Sequence, residues 1–163
     1  MELNTLRDLF VEQLQDLYNA ESQLIKALPK MAKKATNEEL KQALEQHLAE
    51  TEQQRERLDQ IFELLGEKAG RHKCKAMEGL IEEGEELLKE DAEPEVLDAG
   101  IIASGNRIEH YEIAGYGTAR TYAAQLGEKQ IEKLLSQTLE EEKKADALLT
   151  ELAESTINIQ AEK

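Results

Sequence analysis

At 163 residues the chain has room for one domain with a sizeable buried core. A formal net charge of −15 argues against nucleic acid and anionic membrane as partners, because both need a basic surface, and is compatible with drawing in metal cations. With 40% hydrophobic and 34% charged residues, 4% aromatics, no Trp and two Pro, the composition points to long helices.

The N-terminal MELNTLRDLF has an acid at position 2 and no continuous apolar stretch, so no secretory signal is expected. No segment approaches the ~18 uninterrupted apolar residues of a membrane span, and a cytoplasmic protein is the expectation. Thr5 can cap a first helix running to about Leu28, where Pro29 should kink or end it. Its apolar face is Leu6, Phe10, Leu14, Leu17, Leu24, Ile25 and Leu28, with Glu21 in the middle. TNEEL (36–40) reads as a capping box, Thr36 with Glu39, opening a second helix that Gly66 stops. That helix carries Leu40, Leu44, His47, Thr51, Leu58, Ile61, Phe62 and Leu65 on one side.

GEKAGRHK (66–73) is a polar loop, followed by the lone Cys74 in a KCK setting. One thiol excludes an internal disulfide, and it reads as a helix-face residue rather than a reactive group. A shorter amphipathic segment places Met77, Leu80, Ile81, Gly84, Leu87 and Leu88 on one face. DAEPEV (91–96) breaks it and sets Pro94 in the first turn of a third long helix, which ends at Gly127. This helix carries Leu97, Ile101, Ile108, Glu112, Gly115, Ala119, Tyr122 and Leu126. The fourth shows Ile131, Leu134, Leu135, Leu139, Glu142, Leu149 and Leu152. The pattern is all-α: a four-helix bundle with an extra helix in a long second-to-third crossover.

The halves echo one another. Glu50 follows Glu21 by 29 residues, and Glu141 and Glu142 follow Glu112 by 29 and 30. At about 100° per residue, Glu21, Glu112 and Glu142 fall near the centres of their apolar stripes. Glu50 and Glu141 lie toward the edges of theirs, His47 and Thr51 nearer the middle, and Glu109 at the border of the third face. Ionised carboxylates converging in a core repel one another, and divalent cations remove that repulsion by taking their oxygens as ligands. Glu21, Glu50, Glu112 and Glu142 are therefore the first candidate metal ligands, with His47 and Glu109 behind them. At most one imidazole among several carboxylates favours iron or manganese, one or two ions, over zinc or copper. His72 falls in the polar loop and His110 opposite Glu112, so neither joins the set. GYGT (115–118) lies inside a helix and is no phosphate loop. Gly100, Gly105, Gly115 and Gly117 each cost the third helix about 1 kcal/mol relative to Ala, which close helix approach within the chain or across a dimer would offset. Tyr18, Tyr111 and Tyr116 flank the candidate ligands in sequence and are expected to pack at the core edge.

HLAET (47–51), CKAMEGLIEEGEELL (74–88), IEHYEIAGYGT (108–118) and LEEEKKAD (139–146) resemble the YciE/YciF-type family of ferritin-like bacterial stress proteins, over nearly the whole chain. The resemblance implies one ferritin-like domain over residues 1–163, association into homodimers and a link to stress responses, without an established reaction or substrate. The ferritin-like pattern asks for one Glu from each of two helices, places that Glu21 and Glu112 fit, and Glu-x-x-His on the other two. There the chain departs: Gln53 follows Glu50 and Ala145 follows Glu142 at the third place, His47 precedes Glu50 in the reverse order, and Asp146 lies one turn beyond Glu142. Two functions follow as expectations: a stress protein with an Fe or Mn centre for peroxide or O₂ chemistry, or a metal-free dimeric interaction protein induced by stress.

Overall fold

The computed structural model describes residues 3–163; Glu2, part of the N-terminal reading, lies outside them. The described residues form helices and no strand: α1 (Leu6–Lys34), α2 (Glu38–Leu65), α3 (Lys75–Leu87), α4 (Pro94–Gln125) and α5 (Lys129–Leu152). The chain then passes through a π-helical turn, Ala153–Ile157, into a short α6, Asn158–Ala161. Among the described residues, no helix is long and apolar enough to cross a membrane.

Thr5 caps α1 reciprocally with Asp8: the Asp8 N–H donates to Thr5 Oγ1 at 3.2 Å, and the Thr5 N–H to Asp8 Oδ2 at 2.8 Å. Of the two outcomes expected at Pro29, a kink or an end, the helix does not end there, and α1 runs on to Lys34. Pro29 is on the exposed side, while Met31 and Ala32 beyond it are buried. Their burial helps offset the ~3 kcal/mol cost of an interior proline.

The expected Thr36–Glu39 capping box is also corrected. Asn37 is the N-cap of α2, its Oδ1 accepting from the N–H groups of Glu39 and Leu40 at 2.9 and 3.0 Å. Thr36 is turned instead to Asp98 of α4, which is buried and accepts from Thr36 N–H, Thr36 Oγ1 and Asn37 N–H at 2.7–2.8 Å. Gly66 closes α2 in the left-handed region (φ 67°), as expected. Cys74 is not on a helix face: it is the buried N-cap of α3, its Sγ accepting from the Met77 N–H at 3.4 Å.

The short α1–α2 and α4–α5 turns make two antiparallel hairpins, and α1 packs on α4 while α2 packs on α5. At one end Arg7 donates to the Leu65 carbonyl at 3.0 Å and lies 3.8 Å from Glu128. At the other end Asp98 binds the α1–α2 turn. Hence α2 and α4 run in the same direction, and the link between them must travel back along the bundle. This is the expected crossover, with α3 lying against α1 and α4. Three of the four glycines of α4 sit where a neighbour leaves no room. A Cβ at Gly100 would meet Leu87, at Gly105 Leu149 and at Gly115 Leu17, all within 2.8 Å. Gly117 has nothing within 4 Å, so close approach does not explain it within one chain.

The apolar core falls into two clusters. One, near the Asp98 end, includes Leu24, Leu28, Leu44, Ile101, Ile108, Leu149 and Leu152. The other, near Arg7, includes Phe10, Leu14, Leu17, Leu58, Ile61, Ala119, Ile131 and Leu135. Buried glutamates occupy the level between them.

Candidate metal centre

Each of the four long helices sends a carboxylate or an imidazole into that level. Glu21 on α1, Glu112 on α4 and Glu142 on α5 have no exposed surface; Glu109, one turn before Glu112, is 1% exposed and His47 on α2 is 7% exposed. They hold these positions because each replaces one apolar residue in a helical stripe whose other members fix the helix rotation. His47, Glu109, Glu112 and Glu142 each offer a ligand atom, all within 4.8 Å of one another. Glu21 joins the same electrostatic cluster through Glu112 and Glu142, and its Oε1 accepts a hydrogen bond from the Tyr116 hydroxyl.

Few of these polar atoms are satisfied. Glu21 Oε2, Glu109 Oε2, His47 Nδ1 and both oxygens of Glu112 and of Glu142 are buried without a hydrogen-bond partner. His47 Nε2 lies 2.9 Å from Glu109 Oε1 without being directed as a hydrogen bond. Burial raises all four carboxyls, and their mutual charges raise them further: Glu21 and Glu109 to about 8, Glu112 and Glu142 well above the ordinary range. The Tyr116 hydrogen bond pulls Glu21 back in part. Without a cation the level stores protons; with one, the same oxygens are ready ligands.

The other candidates lie elsewhere. Glu50 is half-buried, outside the four-residue group, and accepts from Gln46 at 2.9 Å. Glu141 faces Arg57, which donates to its two oxygens at 2.9 and 3.1 Å and to Thr138 at 2.5 Å. Burial alone would raise the Glu141 carboxyl, but the Arg57 and Gln137 hydrogen bonds bring it below the ordinary value. Asp146 is taken up by Asn106 at 2.6 Å and by the exposed His110 at 3.3 Å. His72 pairs with Asp16 at 3.0 Å. Asp16 also accepts from Tyr111, whose hydroxyl lies 3.0 Å from Cys74 Sγ, so this chain of polar groups ties α3 to α1 and α4.

Sequence periodicity missed Tyr116, Gln54, Arg57 and Asp98, all buried. Tyr116 is fully enclosed rather than at the core edge, one turn beyond Glu112 on its face. The i,i+4 spacing to Glu112 was the available signal.

The chain matches, over residues 5–162, a family model described as a domain of unknown function (DUF892). It is 49% identical over 163 residues to Protein YciF of Escherichia coli K12, covering 99% of this chain and 98% of that protein. The crystal structure of the E. coli stress protein YciF superposes with a TM-score of 0.93 at 49% identity, over 96% of this chain and 99% of that one. YcfI from Rhodopseudomonas palustris does so with a TM-score of 0.89 at 47% identity, over 91% and 95%. A Xanthomonas campestris protein shares the fold at 23% identity, with a TM-score of 0.76 over 97% of each chain. Fold and sequence agree along the whole length, and this chain is a member of the DUF892 family, a homologue of the stress protein YciF.

Proposed function

We propose that this chain binds one or two Fe or Mn ions in its carboxylate level and serves stress protection through peroxide or O₂ chemistry. The observation that supports this reading is the set of buried, partnerless oxygens from α1, α4 and α5, beside the imidazole of α2. Ionised and unpaired, each such carboxyl costs about 1–3 kcal/mol or more, a cost that a bound cation removes. Glu21, Glu109, Glu112, Glu142 and His47 would hold the metal; hard oxygen ligands with one imidazole suit Mn or Fe. A bound Fe or Mn would supply redox chemistry toward O₂ or peroxide. The chain's own part is to enclose the level between the two apolar clusters and to hold a proton on the Tyr116 hydroxyl against Glu21 Oε1. We place two copies in the working unit, as the family resemblance implies.

Purified protein reconstituted anaerobically with Fe(II) or Mn(II) should carry one to two equivalents by elemental analysis. Glu21→Ala and Glu142→Ala should lose that metal while remaining helical. Wild type that stays empty after reconstitution would leave the stress-induced interaction protein as the better reading.

A further inference from the structure

The α2–α5 seam has an opening directly over the carboxylate level. A cavity of about 110 Å³ lies between Ala43 and Glu50 of α2 and Lys144 and Ala145 of α5, and reaches Glu109 of α4. That is room for a few waters, a partly dehydrated cation or a two-oxygen molecule, and too little for a larger substrate. Gln46, Lys144 and Leu148 are exposed and form the mouth, and Glu50 is half-buried. His47 and Glu109, both more than nine-tenths buried, form the floor. Three polar atoms there, His47 Nδ1, His47 Nε2 and Glu109 Oε2, have no hydrogen-bond partner.

α3 lies over α1 and α4. On the same α2–α5 seam, further toward the Arg7 end, the Arg57–Glu141–Thr138 contacts close the gap. Ala145 stands where the ferritin-like pattern would place a histidine, three residues after Glu142. A methyl group there in place of an imidazole helps leave the seam open.

We infer that this cavity is the port through which a divalent cation reaches the buried level, taken up by Glu50 at the mouth and passed to His47 and Glu109 at the floor. The inference rests on the metal-binding reading above, because the port needs a destination. Glu50 thereby has a role that its place outside the ligand group leaves open. Its carboxylate attracts the cation and offers a first oxygen, while the Lys144 ammonium opposes it at the same mouth. The mouth is thus a balance of one attracting and one repelling charge, which sets the rate of loading more than the final affinity.

The test follows Co(II) uptake by stopped-flow absorbance, with elemental analysis at equilibrium. Ala145→Leu and Ala43→Leu fill the opening from opposite helices, so that one remains informative if the other fails to fold. Each should slow loading by about tenfold or more at unchanged final Co(II) content, within the range over which association rates vary among variants of one site. Glu50→Gln should slow it severalfold and Lys144→Gln should speed it, both effects shrinking as salt is added. Wild type that takes up Co(II) while both plugged variants load at the same rate would overturn the port and leave the metal site standing. Wild type that takes up no Co(II) would overturn both.

Discussion

Glu142 is fully buried, and both its oxygens lack partners. In metal-free protein, burial and then the neighbouring Glu109 hold its carboxyl well above the ordinary range. Glu21 and Glu109 are raised from 4.5 to about 8 in the same way. Groups raised in the folded state bind more protons there than in the unfolded chain, so their contribution is complete below the unfolded value and is lost as pH rises through the folded one. Metal-free protein should therefore lose stability between about pH 4.5 and 8, by roughly 1.4 kcal/mol per pH unit for each extra proton held. Urea titrations with chelator at several pH values check the slope, and stability rising across that window would contradict the buried cluster. Glu142→Leu should stabilise the metal-free form by about 1–4 kcal/mol and, if the proposed centre exists, remove the rise in stability that added metal would give wild type. A variant less stable than wild type in chelator would show that Glu142 is satisfied in some other way. Tyr116→Phe should cost the metal-free protein about 1–3 kcal/mol, since it strips Glu21 Oε1 of its donor, and denaturant midpoints measure this directly.

Among the elements, helix identity follows from local chemistry and helix ends depend on what they meet. Thr5 and Gly66 act through groups within a few residues, and both perform as their sequence context implies. Thr36 and Asn37 are each competent caps, and the choice between them is made by Asp98, some sixty residues away. Removing that carboxylate leaves two backbone N–H groups and a hydroxyl without their acceptor. Asp98→Ala should cost about 2–4 kcal/mol, measured by urea unfolding with chelator, whereas Thr36→Ala should cost less. Equal losses for the two variants would mean that Thr36, rather than the carboxylate, organises the turn. Pro29 teaches the same lesson from the other side: a residue that locally opposes helix is overridden where the turn beyond it is buried.

For the molecule as a whole, the parallel run of α2 and α4 brings the two hairpins together so that Glu21, His47, Glu112 and Glu142 share one level. The homodimer implied by the family resemblance belongs to this scale. Gly117 has open space around it, so Gly117→Ala should stabilise an isolated chain by up to about 1 kcal/mol through helix propensity. If a second copy packs there, the same change should weaken the dimer instead, and light scattering beside thermal melts separates the outcomes. Wild-type protein should give a dimer mass at micromolar concentration; a monomer would count against the expected association.

The sequence by itself determined the all-helical class, the crossover and the central placing of Glu21, Glu112 and Glu142. Each of these rests on periodicity and local stop signals, which a linear chain carries in full. Only the tertiary structure decided between residues at the borders of their stripes. Glu109 turns inward beside His47 and Glu50 stays at a cavity mouth, although both stand near an edge by periodicity. Helix rotation and the packing of neighbouring helices settle such positions, and a shift of a few tens of degrees moves a side chain from core to rim. Tyr116 and Asp98 were hidden for the same reason: their partners, Glu21 and the α1–α2 turn, are neighbours only after the chain has crossed the bundle.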